Sequence, residues 1–462
     1  MITHDLVILG AGPAGLAAAA TALEHGITPL VIDEQPAAGG QIYRALEHTP
    51  LRDRRILGDD YWSGESLVKG LADTRIDYRP GTSVWQLTRQ REIGLLHDDK
   101  AEMIRARHII LATGAMERPM PIPGWTLPGV MTAGSGQILL KSAGAVPEAP
   151  VVLAGCGPLL LLLAAQYLRA GTEVAAILDT TSPDHYRAAF KYLPGALRNT
   201  STLFKGIGLL RELRRAGIRH IKGVSALRAE GDGQLERVSW QQKGVDIWQT
   251  LETPNLMLHQ GVIPNTQITR AVGCRHEWDK QQLAWRPSLD EWLNTDIEGI
   301  AVAGDGGGIV GAKASAMQGQ LAGLGAALAL GKSTLSNSSA QAQSVRKALF
   351  RDTSIRPFLD AMYRPAKQWR LPDDNTLACR CEEVTGGEIR RMAEMGCRGP
   401  NQTKSFTRCG MGPCQGRMCG ITVSELLADA NHQSVEETGY YRLRPPFKPV
   451  TLGQLASAAE EG

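Results

Sequence analysis

The stretch "DLVILGAGPAGLAAAATALEHGITPLVIDE", residues 5–34, has the order strand, tight turn, helix and strand. Gly10 permits the sharp turn, Gly12 lets the backbone approach a pyrophosphate, and Gly15 lets the helix press against the strand. A purely structural glycine turn would not need the flanking strand, helix and acid that this stretch also contains. The stretch therefore predicts a fold that binds a dinucleotide.

The residues that flank these glycines extend the same prediction. The helix opens with Pro13 and Ala14, and its N-terminus offers free N–H groups to phosphates. Asp33 lies 23 residues after Gly10, where an acid accepts hydrogen bonds from ribose hydroxyls, and Glu34 is beside it. No basic residue is near in the sequence, which disfavours a 2′-phosphate on the bound nucleotide.

A second copy of the pattern is "PVVLAGCGPLLLLLAAQYLRAGTEVAAILD", residues 150–179. Gly155 and Gly157 are present, but Leu160 occupies the position of the third glycine. Leu178 stands where the ribose acid is expected, and Asp179 follows it. A bound nucleotide, a different ligand and a fold retained without any ligand all remain open for this second site.

Composition and charge narrow the kind of partner. The 462 residues, 43% of them apolar, suffice for two or three domains with separate cores. The formal net charge of +3, from 50 basic and 47 acidic residues, gives no field for holding nucleic acid. The N-terminal "MITHDLVILGAG" lacks the features of a signal peptide, and glycines and a proline interrupt the most apolar run. We expect a cytoplasmic protein without a transmembrane segment, which binds small ligands or proteins.

Two further glycine-containing segments suggest the cofactor. In "IILATGAMERPMPIPGW" a strand ends in Ala112, Thr113 and Gly114, a small-residue crossing between domains. In "NTDIEGIAVAGDGGGIVGAKASAMQGQLAG" a strand runs into Gly304 and Asp305, before a long helix whose N-terminus can face phosphate or flavin. Both segments resemble the two-dinucleotide-binding flavoproteins of the glutathione reductase type, an α/β fold. The resemblance implies FAD in the first fold and Asp305 in contact with it, and capping of the helix by Asp305 is the alternative.

Longer motifs carry a closer resemblance, which covers nearly the whole chain. They are "GGQIYR" (39–44), "ERPMPIPGWTLPGVMTAGSGQ" (117–137) and "HQGVIPNTQITRAVGC" (259–274). They resemble the alpha subunits of bacterial hetero-oligomeric amino-acid and opine dehydrogenases, a group that includes opine oxidase, D-hydroxyproline dehydrogenase and hydrogen cyanide synthase. Within the first motif we predict Gly40, Gln41 and Arg44 as cofactor-binding residues.

The resemblance implies a division of labour between subunits. The substrate would be oxidised by a flavoprotein of the D-amino-acid or glycine oxidase type, the beta subunit, and an FMN at the subunit junction and a small gamma subunit would complete the complex. Electrons would pass through FAD to a dye or membrane quinone, which allows peripheral association with the inner membrane. The chain contains no C-x-x-C motif near either nucleotide fold and no evident general base, since His259 is typical of a core histidine. Catalytic residues therefore stay unknown.

Two other functions remain open. The chain could be a self-sufficient NADH-dependent reductase with nicotinamide at the second fold, although Leu160 argues against this. It could also be an iron-handling module in which the flavin is structural.

Six of the eight cysteines lie between Cys379 and Cys419, which favours a metal or cluster site over disulfides in a chain without an export signal. Cys379 and Cys381 can direct two thiolates at one centre, and two more must come from "TRCGMGPCQGRMCG". These are either Cys414 and Cys419, which we favour, or Cys409 and Cys414.

This segment resembles the [2Fe-2S] domain of bacterioferritin-associated ferredoxin. The resemblance implies a small helical C-terminal domain with a [2Fe-2S] cluster on Cys379, Cys381, Cys414 and Cys419. At the position of Cys409 those relatives commonly have alanine. Zinc on four sulfurs is the main competing occupant, and a domain without metal is the other alternative.

The predicted organisation of the chain follows from these motifs. An FAD-binding domain is formed by residues 1–115 and 265–332, and a second nucleotide-binding domain, residues 116–264, is inserted into it. A Ser-rich linker and helical connector occupy 333–370, the [2Fe-2S] domain 371–431, and a tail 432–462. The proline-broken, aromatic tail is predicted to dock on this chain or on a partner, and a solvated tail is the alternative.

Overall fold

The computed structural model describes residues 1–457. Its strands are, in chain order, β1 (Ile2–Leu9), β2 (Pro29–Ile32), β3 (Asp77–Arg79), β4 (Ser83–Leu87), β5 (Glu92–His97), β6 (Lys100–Leu111), β7 (Ala115–Glu117), β8 (Val130–Thr132), β9 (Val151–Cys156), β10 (Val174–Asp179), β11 (Arg219–Lys222), β12 (Val224–Glu230), β13 (Arg237–Gln242), β14 (Val245–Glu252), β15 (Asn255–Gln260), β16 (Val262–Pro264), β17 (His276–Asp279), β18 (Ala284–Pro287), β19 (Ile300–Val302), β20 (Leu377–Cys379) and β21 (Val384–Thr385).

Its α-helices are α1 (Pro13–Glu24), α2 (Arg54–Leu57), α3 (Asp59–Trp62), α4 (Glu65–Lys69), α5 (Ala133–Ala143), α6 (Pro158–Arg169), α7 (Pro183–Phe190), α8 (Leu193–Ala196), α9 (Thr200–Arg215), α10 (Gln267–Val272), α11 (Ala312–Ala329), α12 (Leu335–Thr353), α13 (Arg356–Met362), α14 (Gly386–Glu394), α15 (Pro400–Thr407), α16 (Gly420–Ala430), α17 (Val435–Thr438) and α18 (Leu452–Ser457).

The first sheet has the order β3-β2-β1-β6-β5-β4, with β19 also paired to β6. Strands β3, β2, β1, β6 and β19 are parallel, and β4 and β5 add antiparallel strands at one edge. Helix α11 packs on α1 so closely that a Cβ on Gly319 would lie 2.0 Å from the carbonyl oxygen of Ala14. Only glycine fits this contact, which brings the N-terminus of α11 to the same edge of the sheet as that of α1.

The second sheet, β11-β10-β9-β15-β8, is entirely parallel, and β12-β13-β14 form a separate antiparallel sheet. Strands β7 and β16 pair antiparallel, with Ala115 opposite Pro264. These are the two places where the chain passes between the first and second sheets. The predicted fold class, an α/β fold of the two-dinucleotide-binding type, is confirmed; the domain boundaries stay predictions.

The Ser-rich segment after α11 differs from the predicted linker because it is helical. Thr334 caps α12, accepting a hydrogen bond from the backbone N–H of Asn337. The small residues Ser338 and Ala342 are fully buried, and Ala342 packs against Trp292. The segment has too few large apolar residues to predict a helix from periodicity, but small side chains let the helix pack closely on its neighbours.

The C-terminal part is a small helical unit that begins with the hairpin β20–β21 and continues through α14, α15 and α16. An ion pair between Arg370 and the buried Glu425 joins it to the segment after α13. The described part of the tail, residues 432–457, then lies against this chain, with Tyr441, Leu443 and Phe447 buried. No helix among residues 1–457 combines the length and apolarity needed to cross a bilayer.

Candidate cofactor and metal sites

The first glycine turn is shaped by two close approaches. Gly10 has φ +112, and a Cβ there would lie 2.4 Å from the carbonyl oxygen of Ala112. A Cβ on Gly15 would lie 1.8 Å from the carbonyl oxygen of Gly10. The turn, the following helix and the end of β6 therefore meet at a point that admits no side chain at either glycine.

Asp33 follows β2 and is buried at the edge of this turn. Its Oδ2 accepts a hydrogen bond from the backbone N–H of Ala11 at 2.6 Å, and its Oδ1 accepts one from Gln35 at 2.8 Å. Burial raises the pKa of Asp33, while these donors act to lower it. The adjacent Glu34 forms an ion pair with Lys448 of the tail, so a basic residue does lie near this acid although none is near in sequence.

The segment that contains Gly40, Gln41 and Arg44 closes over the first turn. Gly40 has φ +60, and a Cβ there would lie 2.9 Å from the Cα of Gly12. Arg44 donates hydrogen bonds to the side chains of Gln35 and Gln41. Gly12 and Gly40 thus face each other across a gap that side chains would fill, beside the free N–H groups of α1. This arrangement and the nearby acid fit the pyrophosphate and ribose of FAD.

Lys141, which sequence reasoning missed, supports this segment from below. Its Nζ donates hydrogen bonds to the backbone oxygens of Gln41 at 3.1 Å and Ile42 at 3.0 Å, and to Oε1 of Gln137 at 2.9 Å. Burial, and next the charge of Arg44, lower the pKa of Lys141 to about 7. The sequence gave no signal for this lysine in α5, because two of its three partners are backbone oxygens of a distant segment.

The two other predicted cofactor segments lie next to each other. Thr113 and Gly114 form the crossing after β6, and the nearest atoms to a Cβ built on Gly306 are those of these two residues, at 3.5 Å. The backbone N–H of Asn265, just after β16, donates to the carbonyl oxygen of Gly114 at 3.0 Å, so the two segments that connect the sheets are hydrogen-bonded to each other.

Asp305 has one oxygen committed to the protein. Its Oδ1 accepts hydrogen bonds from the backbone N–H groups of Val310 and Gly311, at 2.8 and 2.9 Å, just before α11. Gly304 precedes it with φ +79 and donates its N–H to Oε1 of Gln318 at 2.9 Å. Within residues 1–457, Oδ2 of Asp305 has no hydrogen-bond partner, so capping and cofactor contact are compatible roles.

Residue spacing placed the acid position of the second fold at Leu178, which is one residue too early. A β-bulge between Val174 and Ala176 adds one residue to β10, so that Asp179, and not Leu178, stands directly opposite Gly155. Asp179 accepts a hydrogen bond from the N–H of Thr181 at 2.8 Å, as Asp33 does from a residue two places on.

The partners of this second acid differ from those of the first. The Oδ2 of Asp179 lies 3.1 Å from Nε2 of His220, whereas the corresponding oxygen of Asp33 bonds the glycine turn. The site retains an acid but directs it towards a neighbouring strand.

The turn of the second fold also contacts the connector after α13. The Sγ of Cys156 lies 3.4 Å from the carbonyl oxygen of Tyr363 and 3.3 Å from Oε1 of Gln260, either of which can accept its hydrogen. Gln260 in turn donates to Oγ1 of Thr180 at 2.9 Å. The connector therefore lies against the turn where a dinucleotide would bind.

His259 is buried, and its ring is held by a hydrogen bond, as expected of a core histidine. Its Nδ1 lies 2.7 Å from Oε1 of Glu117, and the other oxygen of Glu117 accepts a hydrogen bond from the N–H of Gly134 at 2.8 Å. The ring faces Gly157, since a Cβ there would lie 3.4 Å from it. The contact links Glu117 in β7 to His259 in β15, just before β16, which pairs with β7.

Three cysteine sulfurs form a buried group in the C-terminal unit. The Sγ atoms of Cys379, Cys409 and Cys419 all lie within 4.8 Å of one another. Hydrogen bonds from Cys409 and Cys419 lower the pKa of Cys379 to about 2. The exposed Cys381 lies outside this group and close to Cys414.

The four cysteines of the predicted quartet lie in two pairs, and the quartet itself stays a prediction. Cys379 and Cys419 form the first pair, with Cys409 also within 4.8 Å of both, and Cys381 lies near Cys414. Either ligand set considered above would therefore give two thiolates to each iron of a [2Fe-2S] cluster. Cys409 is an additional sulfur beside the first pair, where the resemblance led us to expect alanine. Three mutually close thiols would supply three of the four ligands of a tetrahedral zinc ion, so zinc remains the competing occupant.

The tail tyrosines pack directly on the cysteine loop. A Cβ on Gly410 or Gly416 would lie 2.5 or 2.6 Å from the ring of Tyr441, and a Cβ on Gly420 would lie 2.3 Å from the hydroxyl of Tyr440. The glycines that the sequence analysis expected around a cluster therefore also make room for these rings.

The cysteine loop contacts the first fold next to the predicted flavin segments. Nε2 of Gln267 donates to the carbonyl oxygen of Gln415 at 3.0 Å, and Gln415 adjoins Cys414. Two residues before Gln267, Asn265 is bonded to Gly114. Two residues of chain span about 7 Å at most, so the two candidate sites share a narrow boundary.

The fold and the paired glycine turns define a flavin-type oxidoreductase, and comparison with known proteins agrees. The chain belongs to the pyridine nucleotide-disulphide oxidoreductase family, whose model matches residues 4–319, and a sarcosine oxidase A3 domain matches residues 376–459. The family implies FAD as cofactor, and the family resemblance drawn from the sequence motifs is confirmed.

Individual relatives cover the whole chain. It is 42% identical to an opine oxidase subunit of Agrobacterium tumefaciens (strain Ach5), over 98% of this chain and 91% of that protein. It is 32% identical to hydrogen cyanide synthase subunit HcnB of Pseudomonas protegens, over 98% of both chains. Among solved structures, the L-proline dehydrogenase of P. horikoshii matches with a TM-score of 0.71 at 20% identity, over 98% of this chain and 79% of that chain, which supports the fold alone.

Proposed function

We propose that this chain is the electron-transfer alpha subunit of a hetero-oligomeric amino-acid or opine dehydrogenase. In this proposal a partner flavoprotein of the D-amino-acid or glycine oxidase type oxidises the substrate, with an FMN at the subunit junction and a small gamma subunit. Electrons pass through FAD and a [2Fe-2S] cluster on this chain to a dye or membrane quinone. The similarity to the opine oxidase of Agrobacterium supports the choice of complex.

The observation that carries the proposal is the contact between the cysteine loop and the first fold. Gln267 and Asn265 join Gln415 of the cysteine loop to Gly114 of the crossing through two hydrogen bonds and a short piece of chain. When bound, a flavin accepts one or two electrons and an iron-sulfur cluster carries one, so adjacent sites for both form an electron-transfer unit. The thiols hold one end of this unit, and the glycine turn and Asp33 hold the other.

The second fold disfavours the alternative of an NADH-dependent reductase. The connector at Tyr363 lies against the glycine turn, and Asp179 is engaged by His220. Leu160 stands where a dinucleotide fold needs its third glycine. Stopped-flow mixing of the purified chain with NADH should give no rapid bleaching of the flavin, and bleaching at micromolar NADH would favour the reductase.

Expression with and without the candidate beta subunit tests the division of labour. The isolated chain should contain FAD but show no amino-acid or opine dehydrogenase activity with an artificial dye, and activity should appear when the partner is co-expressed. Full activity of the isolated chain would refute the proposal.

The metal site is tested by iron and labile-sulfide content. Cys379→Ser should lose both, since Cys379 is central to the buried sulfur group, whereas the control Cys397→Ser should retain them because Cys397 lies outside that group. A Cys409→Ala variant that keeps the cluster supports the predicted quartet, and one that loses it makes Cys409 a ligand. Purification with zinc and without iron would overturn the cluster proposal.

A further inference from the structure

The C-terminal tail runs from the cysteine loop to the first sheet. Tyr441 is buried against the cysteine loop, and Phe447 is 4% exposed and packs in the core on one face of the first sheet. The N–H of Phe447 donates to the carbonyl oxygen of Trp85, in β4, at 3.0 Å. The seven-residue segment 441–447 is therefore attached to the cysteine loop at one end and to the first sheet at the other.

The tail reaches the first sheet beside the acid of the first glycine turn. The N–H of Thr82, just before β4, donates to the carbonyl oxygen of Asp33 at 2.9 Å, so the start of β4 adjoins the end of β2. At this junction Lys448 forms its ion pair with Glu34. Lys448 is also close enough to Asp33 for its charge to act on that carboxylate.

A cation at this position has a physical reason. Asp33 and Glu34 are adjacent carboxylates at the end of β2, and the acid that ends this strand bonds the adenosine ribose in dinucleotide folds. Lys448 offsets the repulsion between the two acids and holds Glu34 beside Asp33. Phe447 fixes Lys448 there, because its side chain is buried and its backbone is bonded to β4.

We propose that Phe447 and Lys448 form a clasp on the adenosine end of the FAD site, and that retention of FAD by this chain depends on the tail. This inference rests on the proposed binding of FAD to the first fold. Since the same tail covers the cysteine loop through Tyr441, release of the tail would loosen FAD and expose the loop together.

The test measures the rate at which FAD leaves the purified full-length protein, followed by the rise of free-flavin fluorescence after dilution. Lys448→Ala should speed dissociation a few-fold, and Lys448→Glu, which adds a third carboxylate, should speed it about tenfold. Lys448→Arg, which keeps the positive charge, should leave FAD dissociation as slow as in the unaltered protein. The difference between Lys448→Glu and the unaltered protein should shrink in high salt.

A matched control releases the end of the tail without touching the clasp. Ser457 accepts a hydrogen bond from the N–H of Ala101 at 3.0 Å, and Ser457→Ala should leave FAD release unchanged. Equal dissociation rates for Lys448→Glu, Phe447→Ala and the unaltered protein would overturn the clasp. An unaltered protein that binds no FAD would instead overturn the proposed function.

Discussion

Replacing Lys141 with methionine tests how a buried amine supports the predicted FAD segment. The side chain is 2% exposed, and its amine bonds the backbone of Gln41 and Ile42. Methionine has similar length and no charge, so the variant Lys141→Met removes both the cost of burying the amine and these hydrogen bonds.

The pH dependence has a definite sign. The pKa of Lys141 falls from its ordinary 10.5 to about 7 in the folded protein, so between these values the unfolded chain holds a proton that the folded chain lacks. The free energy of unfolding of the unaltered protein, relative to Lys141→Met, should therefore rise with pH from about 7 to about 10.5. The limiting slope is about 1.4 kcal/mol per pH unit, and the whole rise is at most about 5 kcal/mol.

Urea denaturation of both proteins between pH 6 and about pH 10 measures this difference. The variant should also bind FAD more weakly, because Gln41 and Ile42 lose their support. A stability difference that is flat across this range would refute the assigned pKa, and unchanged FAD affinity would refute the supporting role of Lys141. Lys141→Gln, which keeps a hydrogen-bond donor, separates the two effects.

Two further predictions, each with a control substitution, concern one close glycine contact and one buried ion pair. Gly319→Ala should destabilise the protein by about 1–3 kcal/mol, because the new methyl group would lie 2.0 Å from the carbonyl oxygen of Ala14. The control Gly206→Ala, on helix α9 with no atom within 4 Å of the new methyl group, should stabilise the protein slightly. Equal melting temperatures of the two variants would contradict this prediction. Glu425→Gln should cost about 3–5 kcal/mol in urea denaturation because it leaves the charge of Arg370 buried without its partner, and adding Arg370→Gln should recover part of the loss.

The first fold was predictable from sequence because its requirements are local. Gly10 and Gly15 stand where backbone atoms approach too closely for any Cβ, so the glycine spacing itself records the geometry. The strand, helix and acid around them follow within 34 residues. The fold class could be inferred from such local patterns in the same way.

Other features depend on contacts that no local pattern records. A β-bulge moved the acid of the second fold from Leu178 to Asp179, and a fixed residue spacing cannot detect an inserted residue. Lys448 meets Glu34 across 414 residues of chain. Cys409 lies in the sulfur group with Cys379 and Cys419, although the sequence favoured Cys414 and Cys419 as the later ligands.

The strand order has a consequence for synthesis on the ribosome. All strands of the second sheet have been translated by Gln260, whereas the first sheet awaits β19, and its covering helix ends at Ala329. A nascent chain can therefore complete the second sheet before β19 is available to pair with β6 and before α11 is available to pack on α1. Domains usually fold in order from the N-terminus during synthesis, but here the first sheet is completed after the second. FAD can therefore bind a completed first fold only during the last third of translation or after it.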